Sequence, residues 1–330
     1  MINVAINGFG RIGRLVLRAG IKHKGINWVA VNDITDAKTL AHLFKYDSVH
    51  GRYEGKVEYT DDSLIIDGKK IKVLSVMQPE ALPWKDMKID VVVESTGKFT
   101  DKTGCEAHLN AGAKKVLLSA PGKGMDLTIV MGVNEKMYDK NKHHIVSNAS
   151  CTTNCLAPVV KILHDNFTVK RGFMTTIHAY TADQKLVDAP HKDLRRARHA
   201  ALSIIPTTTG AAKSVAEVIP DLKGKLDGLS FRVPVATGSV TDFVCELEKS
   251  ATKEEINKAF KDAAGKLKGI VEYTVDPIVS ADIITDPNSS IFDSDLTNVI
   301  GGNFVKVVAW YDNEWGFSER MIDVIKLLMK

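Results

Sequence analysis

The residues best suited to chemistry lie in one short stretch, S-N-A-S-C-T-T-N-C, at positions 147–155. It contains two thiols, Cys151 and Cys155, in a run of small hydroxyl and amide side chains. Residues such as Ser150 and Thr152 cap helix N-termini, and the apolar spacing that follows predicts a helix. Cys151 would start that helix, where unpaired N–H groups and the helix dipole stabilise a thiolate. The stretch therefore indicates a nucleophilic cysteine.

Other interpretations of the paired cysteines fit less well. A structural metal needs about four ligands, and C-x3-C stands without a second Cys or His pair at suitable spacing, so we expect no metal. A disulfide across one helical turn would strain the helix. Four cysteines in 330 residues also favour a reducing cytoplasm. We expect Cys155, Cys105 and Cys245 to be buried structural residues.

A helix dipole alone does not ionise a thiol. With a pKa of about 8.5 a thiol is about 3% thiolate at pH 7, and the dipole supplies about 1 kcal/mol. A histidine cation is the natural second partner. Among ten histidines, His178 follows the apolar strand pattern of residues 173–177, and the ends of such strands often present functional side chains. From the residues alone, a surface or structural role for His178 stays open.

A glycine pattern indicates a dinucleotide site. Gly8, Gly10 and Gly13 form G-x-G-x-x-G directly after a predicted strand and at the start of a predicted helix. Asp33 ends the second predicted strand, 20 residues beyond Gly13, where an acid binds the adenosine ribose hydroxyls. The glycines let the backbone reach the pyrophosphate, whose charge meets the helix N-terminus. Because Asp33 would repel a 2′-phosphate, NAD is favoured over NADP as the cofactor.

The first half of the chain predicts a scaffold for this site. Near-continuous β-branched runs alternate with helical patterns, which is typical of a parallel sheet buried on both faces. We predict an α/β, Rossmann-type doubly wound domain. Short alternating strands at residues 56–76 predict an inserted antiparallel hairpin. The predicted strands are 2–7, 26–31, 89–94 and 115–119, and the predicted helices are 11–22, 37–45 and 105–111.

After about residue 150 the pattern changes to longer strands with few helices. This predicts an α+β domain with a mixed or antiparallel sheet. Thr252 starts a capping box into one clear helix, and the chain ends in a helical pattern at residues 319–329. The predicted strands are 172–180, 229–235, 239–248, 269–274 and 306–311.

Composition excludes several classes of function. The 44 basic and 40 acidic residues give a formal charge of +4, too small a bias to indicate a nucleic-acid partner. One basic stretch, residues 192–199, is typical of a solvated surface or of an anion site. No apolar run reaches 18 residues and the N-terminus lacks a signal-peptide pattern, so we expect no membrane partner and a cytoplasmic protein.

Taken together, the motifs resemble phosphorylating glyceraldehyde-3-phosphate dehydrogenases over essentially the whole chain. The motifs that carry the resemblance are N-G-F-G-R-I-G-R at 7–14, S-N-A-S-C-T-T-N-C-L-A-P at 147–158, T-I-H-A-Y-T at 176–181, T-T-G-A-A-K at 208–213, F-R-V-P at 231–234 and W-Y-D-N-E at 310–314. The resemblance implies that Cys151 attacks the aldehyde of glyceraldehyde 3-phosphate and that His178 is the base. A thiohemiacetal and then a thioester follow, and inorganic phosphate releases 1,3-bisphosphoglycerate.

The resemblance also implies two anion sites. Thr181 and Arg232 resemble the site for the substrate phosphate, and Ser150, Thr209 and Gly210 resemble the site for the attacking phosphate. Thr152 is a further hydroxyl donor. Arg196, inside the basic stretch, resembles an anion ligand, and the site that it serves stays open.

For the cofactor, Arg11 and Ile12 match backbone donors to the pyrophosphate, and Ser119 and Asn313 match the nicotinamide end. Met77 stands near the adenine where the family often has arginine, so only a backbone contact would survive. Phe317 replaces a usual tyrosine, which removes one hydroxyl near the nicotinamide.

The family is homotetrameric. Its cofactor domain corresponds to residues 1–149 and its catalytic domain to 150–313, while the C-terminal helix, about 314–330, folds back onto the cofactor domain. Oxidation of erythrose 4-phosphate is a close alternative within the family. Outside it, a cysteine hydrolase or acyltransferase would leave the glycine pattern and Asp33 unused. A nucleic-acid or surface-binding protein would use the basic stretch alone.

Overall fold

The computed structural model describes residues 1–330 and places two large sheets in two separate units. The first unit comprises Met1–Ile129, Lys136–Ala149 and Ser318–Lys330, and the second comprises Val130–Glu135 and Ser150–Phe317. No helix is both long and apolar enough to cross a bilayer.

The first unit is built around a nine-stranded sheet. Its elements are β1 (Ile2–Asn7), α1 (Arg11–Gly20), β2 (Ile26–Asn32), α2 (Ala37–Lys45), β3 (Tyr46–Asp47), β4 (Gly51–Arg52), β5 (Val57–Thr60), β6 (Ser63–Ile66), β7 (Lys69–Leu74), β8 (Val91–Glu94), α3 (Lys102–Asn110), β9 (Lys115–Leu118), β10 (Leu127–Thr128) and β11 (Ile145–Ser147). The order across the sheet is β10-β11-β9-β8-β1-β2-β7-β6-β5. The first seven of these strands run parallel, and β6 and β5 extend the edge as antiparallel strands.

Burial explains why the central strands are parallel. Every residue of β8 and β9 is buried, and β1 is buried over its last four residues. Strands covered on both faces by helices need such continuous apolar runs. The predicted doubly wound α/β fold is therefore confirmed, and the antiparallel insertion at 56–76 is seen as β5 to β7.

The second unit carries a seven-stranded mixed sheet, as predicted. Its elements are α4 (Cys151–Phe167), β12 (Val169–Ala179), β13 (Ile205–Thr208), α5 (Ala211–Val218), β14 (Leu226–Val233), β15 (Ser239–Leu247), α6 (Lys253–Lys266), β16 (Val271–Thr274), β17 (Ser290–Ile300) and β18 (Phe304–Tyr311). The order is β13-β14-β12-β15-β18-β17-β16, with β12/β14 and β16/β17 parallel and the other pairs antiparallel. The capping box at Thr252 is present, because its side chain accepts from Glu255 N–H and Glu255 accepts from Thr252 N–H.

The last helix, α7 (Trp315–Leu328), begins four residues before the predicted position. Residues from Ser318 onward belong to the first unit. There the Tyr138 hydroxyl donates to the Leu328 carbonyl over 2.9 Å. A Cβ added at Gly20 of α1 would lie 2.7 Å from Ile322 Cδ1, so the two helices approach closely at this glycine.

The structure also contains elements that the sequence patterns did not indicate. β13, α5 and β17 are the main additions, and short 3-10 turns lie at Pro79–Ala81, Glu135–Met137 and Pro220–Leu222. β17 lacks a clear alternating pattern because its register with β18 shifts between Asp293 and Asn298. Such an irregularity breaks the period of two on which strand prediction depends.

Candidate active site

Cys151 is the first residue of α4. Ser150 is the N-cap, and its hydroxyl accepts from the Thr153 N–H over 3.0 Å. Ala149, just before it, has φ 54°, a left-handed conformation that is unusual for alanine and stores strain. The local sequence thus places the thiol at a helix N-terminus, as predicted, and leaves it partly exposed while the other three cysteines are buried.

His178 lies beside this thiol, near the end of β12. Its Nε2 is 3.4 Å from Cys151 Sγ, and its Nδ1 is 2.7 Å from the Ala179 carbonyl oxygen. The carbonyl can only accept, which favours a proton on Nδ1, whereas Arg232 Nη1, 2.9 Å from the same Nδ1, can only donate and favours a lone pair there. We assign the proton to Nδ1, because Arg232 Nη1 has the Ala179 carbonyl as its acceptor, and Nε2 then keeps a lone pair toward the thiol. Arg232 Nη1 also donates to this carbonyl, over 3.0 Å. The structure therefore brings Cys151, His178 and Arg232 together.

The electrostatics of the pair differ from the sequence-based expectation. Burial of the imidazole, reinforced by the Arg232 charge, lowers the pKa of His178 to about 3. Desolvation raises the pKa of the Cys151 thiol, against the opposing effect of Arg232. We expected a thiolate supported by a histidine cation, whereas both shifts favour neutral groups. Both shifts run in this direction because burial disfavours the charged form of each group.

The other thiols have inert surroundings. Burial raises the pKa of Cys155, Cys105 and Cys245 to about 12 in each case. Cys155 is fully buried, with Sγ 3.4 Å from Thr241 Oγ1 and 3.7 Å from Ser290 Oγ. A buried thiol with a raised pKa is a poor nucleophile.

Arg232 has features of an anion ligand. Burial lowers the pKa of its guanidinium, and its Nε atom is buried without a protein partner. A buried charged donor without an acceptor is costly unless a ligand supplies one. Arg232 therefore fits a phosphate group next to the thiol.

Arg196 belongs to the same electrostatic cluster, because its charge contributes to lowering the pKa of both His178 and Arg232. Its guanidinium forms an ion pair with Asp183 and donates from Nε to Thr207 Oγ1 over 2.8 Å. These contacts fix its orientation. The basic stretch at 192–199, for which the sequence allowed either a solvated surface or an anion site, thus includes one half-buried arginine with a fixed orientation.

The remaining phosphate candidates occupy several elements. The Thr181 N–H donates to Gln184 Oε1 over 3.2 Å. Gly210 is the N-cap of α5, and Thr209 Oγ1 accepts from the Ala211 N–H over 3.2 Å. A Cβ added at Gly210 would meet nothing within 4 Å, so this helix start is open. Thr152, in contrast, is buried, and its hydroxyl bonds the Tyr311 hydroxyl over 2.8 Å.

In the first unit, the glycine loop between β1 and α1 has the geometry of a phosphate cradle. Gly8 has φ +91°, and an added Cβ would lie 2.6 Å from Thr96 N. A Cβ at Gly13 would lie 2.2 Å from Gly8 O, whereas one at Gly10 would meet nothing within 4 Å. α1 has neither a side-chain cap nor an acidic residue in its first turn. The loop thus fits an approaching pyrophosphate.

Asp33 lies against this loop. Its Oδ2 accepts from the Phe9 N–H over 2.8 Å and its Oδ1 from the Thr35 N–H over 3.0 Å. The Arg11 side chain forms an ion pair with Asp47, with Nη1 3.0 Å from Oδ2. Ile12 is half-buried in the same turn.

Two further cofactor candidates of the first unit lie outside the glycine loop. Met77 is 72% exposed, so its side chain has little protein contact. Ser119 follows β9, half-buried, with its N–H donating to the Glu94 carbonyl over 3.0 Å.

Asn313 is held firmly in the second unit. Its Oδ1 accepts from Ser239 Oγ over 2.8 Å and from Thr237 Oγ1 over 3.3 Å. Ser239 Oγ in turn accepts from the Ala179 N–H over 3.1 Å. Because the amide oxygen is already bound, the NH₂ group of Asn313 is the part that can face a ligand.

Sequence reasoning missed the residues that hold these groups, namely Tyr311, Thr176, Ser239 and Thr237. Tyr311 lies within the W-Y-D-N-E motif, so its position was a signal. Thr176 opens the T-I-H-A-Y-T motif at 176–181, whereas Ser239 at the start of β15 and Thr237, two residues before it, have no distinguishing pattern.

The glycine loop and the Cys–His pair are features of an NAD-dependent oxidoreductase. Residues 2–102 match the model of the glyceraldehyde 3-phosphate dehydrogenase NAD binding domain, and residues 150–313 match that of the C-terminal domain. The glyceraldehyde-3-phosphate dehydrogenase of Streptomyces coelicolor is 58% identical over 326 residues, which is 98% of this chain and 97% of the relative. That of Geobacillus stearothermophilus is 58% identical over 324 residues, with the same coverage. The chain belongs to the glyceraldehyde 3-phosphate dehydrogenase family.

Proposed function

We propose that this protein oxidises D-glyceraldehyde 3-phosphate with NAD and inorganic phosphate to 1,3-bisphosphoglycerate, a reaction of glycolysis and gluconeogenesis. The observation that carries the proposal is the 3.4 Å contact between Cys151 Sγ and His178 Nε2 at the start of α4. A cysteine and a base in hydrogen-bond reach form the minimal apparatus for a covalent acyl intermediate. Family membership supplies the substrate, because the matched relatives carry the name of this dehydrogenase.

In the proposed first step the pair starts as a thiol and a neutral imidazole, the direction in which burial shifts both pKa values. His178 Nε2 accepts the thiol proton as Cys151 Sγ attacks the aldehyde carbon, and the imidazole returns this proton to the new alkoxide. The product is a thiohemiacetal, in which a C–S bond has formed and the carbonyl oxygen has become a hydroxyl. The Ala179 carbonyl, bound to Nδ1–H, stabilises the transient imidazolium, as the acidic partner does in a catalytic triad.

The same base acts a second time. When bound, NAD supplies a two-electron acceptor for the hydride of the thiohemiacetal carbon. As that hydride departs, His178 Nε2 accepts the hydroxyl proton and a thioester remains on Cys151. Attack by a phosphate oxygen then breaks the C–S bond, and the proton held by His178 returns to the sulfur, so the resting pair is restored.

Two phosphate groups must be bound during this cycle. Arg232, with its unpartnered Nε beside the thiol, and Thr181 would bind one of them. The open start of α5 with Thr209 and Gly210 would bind the other. The remaining donors that we assign to these two sites are Ser150, Thr152 and Arg196. Planar arginine groups suit phosphate because they donate two parallel hydrogen bonds.

The glycine loop of the first unit would hold the cofactor pyrophosphate. Gly8, Gly10 and Gly13 shape the cradle, the backbone of Arg11 and Ile12 donates to the pyrophosphate, and Asp33 binds the adenosine ribose. Asn313 and Ser119 would bind the nicotinamide carboxamide. Met77, being exposed, would contribute through its backbone near the adenine.

This assignment gives residues 1–149 the cofactor-binding role and residues 150–313 the catalytic role. The segment 314–330 would complete the cofactor domain, a proposal supported by the contact of Tyr138 with Leu328 in the first unit.

We further propose a cytoplasmic homotetramer. Large apolar side chains are uncovered in the second unit, including Phe173 on β12 at 71% exposed and Leu202 at 78%. Exposed apolar surface of this kind marks protein interfaces. Four free cysteines agree with a reducing compartment. Light scattering should give a mass of about four times the 36.1 kDa chain; a monomer would contradict the assembly.

The experiment that tests the function follows NADH absorbance with NAD and glyceraldehyde 3-phosphate. Sustained turnover should require phosphate or arsenate, because either anion can open the thioester. Erythrose 4-phosphate in a parallel assay should give a kcat/KM at least tenfold lower. Equal or faster turnover with erythrose 4-phosphate would reassign the substrate, and turnover that ignores both anions would remove the phosphorolysis step.

A further inference from the structure

The side chain of Tyr311 lies buried next to the thiol–imidazole pair. It is 1% exposed, and its ring meets the His178 ring edge to face, with centroids 6.0 Å apart. Its hydroxyl is 2.8 Å from Thr152 Oγ1 and 2.9 Å from Thr176 Oγ1. Both threonines are buried too. Three hydroxyls therefore satisfy one another around a single phenol oxygen.

The two threonines of this cluster lie close in sequence to Cys151 and His178. Thr152 directly follows Cys151 in the first turn of α4, and Thr176 lies two residues before His178 on β12. Residues two apart in a strand share a face. The phenol at the end of β18 thus ties the element that carries the nucleophile to the element that carries the base.

The contact between Cys151 and His178, which lie close to the two threonines in their elements, is sensitive to small movements. The Cys151 Sγ to His178 Nε2 distance of 3.4 Å allows a hydrogen bond. Hydrogen bonds weaken steeply with distance and angle. Burial raises the pKa of the Tyr311 phenol, so the group stays protonated and does not itself accept a proton in the reaction.

We infer that Tyr311 is a positioning residue, whose hydroxyl sets the spacing and orientation of Cys151 and His178 through Thr152 and Thr176. The inference rests on the proposed function, since it takes these two residues as nucleophile and base. It adds to that function the buried hydroxyls of Tyr311 and Thr176, to which we assign no contact with substrate or cofactor and which act through the pair.

The test compares Tyr311→Phe and Thr176→Val, which remove one hydroxyl each and keep the shape of the side chain. The first readout is the rate at which iodoacetamide alkylates Cys151 in cofactor-free protein, followed by peptide mass spectrometry. We expect this rate to fall about three- to tenfold in both variants. The second readout is kinetic: kcat should fall about tenfold while KM for NAD stays within twofold. Thr176→Ser, which keeps the hydroxyl, should restore both.

Two controls separate positioning from general stability. Tyr53→Phe removes a phenol that donates to Asp67 in the first unit, over 2.6 Å, and should change neither readout. The double variant Tyr311→Phe/Thr176→Val should resemble Tyr311→Phe alone, because the phenol is the centre of the cluster. Losses that multiply would overturn the inference.

The inference also fails if alkylation and kcat stay within twofold of wild type in both single variants, even if their melting temperatures drop. If Tyr311→Phe does not fold, Thr176→Val carries the test alone. Absence of dehydrogenase activity in the wild-type protein would instead refute the proposed function, and the alkylation rates would still decide the role of Tyr311.

Discussion

The glycine loop offers a matched pair of substitutions that separates cofactor binding from folding. A Cβ at Gly10 meets nothing within 4 Å, whereas a Cβ at Gly13 would lie 2.2 Å from Gly8 O. Gly10→Ala should therefore fold normally and block the space through which a pyrophosphate approaches. Gly13→Ala should disturb the packing of α1 on β1 whether or not a cofactor is bound.

The magnitudes follow from these distances. At Gly13 a backbone oxygen would have to move by about 1 Å, and overpacking of this kind costs about 3 kcal/mol. The better helix propensity of alanine returns about 1 kcal/mol, which leaves a loss of about 2 kcal/mol. At Gly10 we expect a stability change below about 0.5 kcal/mol. There, a methyl group against the pyrophosphate should weaken NAD binding by about 10- to 100-fold, or about 1.4–2.7 kcal/mol.

Titration calorimetry with NAD and thermal unfolding without it measure the two effects independently. The expected result is a crossed pattern, in which Gly10→Ala loses affinity at unchanged melting temperature and Gly13→Ala loses stability. Wild-type NAD affinity in Gly10→Ala would refute the assignment of this loop to the pyrophosphate. Unchanged stability in Gly13→Ala would refute the close contact between Gly13 and Gly8.

Three further predictions concern single residues. Cys151→Ser should lose at least about 1,000-fold in kcat, because a serine hydroxyl is a far weaker nucleophile than a thiol. Cys155→Ser, which places a hydroxyl between Thr241 and Ser290, should keep most activity. Equal losses of kcat in steady-state assays would show that the thiols are mis-assigned. Arg196→Lys should raise KM for phosphate or for the substrate about tenfold and leave iodoacetamide alkylation of Cys151 unchanged, because a lysine cannot reproduce the planar donor pair; slower alkylation would instead place Arg196 in the thiol chemistry. Asp47→Asn tests stability against pH: burial alone would raise the pKa of Asp47, but the N–H groups of His50 and Val49, together with Arg11, lower it to about 2. A carboxyl whose pKa is lowered by folding stabilises the fold at pH values above its unfolded pKa, so the variant should be less stable by about 2 kcal/mol at pH 7. In urea titrations this difference in unfolding free energy should shrink below about pH 4 and vanish near pH 2. A difference that does not depend on pH would contradict this prediction.

Much of the fold could be predicted because local patterns and tertiary structure agree in the first unit. The strand at Ile2–Asn7 and the helix at Ala37–Lys45 match the predicted bounds, since continuous burial and a 3.6-residue period leave one interpretation. β17 could not be predicted, because a register shift interrupts its pattern. α5 is eight residues long and too short for a periodic signal.

The candidate site shows the same division. The place of Cys151 at a helix start follows from its neighbours in sequence. The contact between Cys151 and His178 could not be predicted from the sequence, because it depends on how β12 packs against α4. The residues predicted only that His178 lies at the end of a strand. The direction of the pKa shifts of His178 and Cys151 could not be predicted either, because the burial of these side chains depends on the tertiary structure. Tyr311, Thr176 and Ser239 carry no signal in their residue type, because a buried hydroxyl is informative only when its partners are known.

The central claim is that the reaction passes through a thioester on Cys151, and one measurement tests it most directly. Protein mixed with NAD and glyceraldehyde 3-phosphate, with phosphate and arsenate omitted, is quenched in acid, while NADH is followed by absorbance. We predict at most one equivalent of NADH per chain and a phosphoglyceroyl adduct on the peptide that contains Cys151, with turnover restored on adding phosphate. Continued NADH formation without either anion, or an adduct on a different residue, would contradict the account.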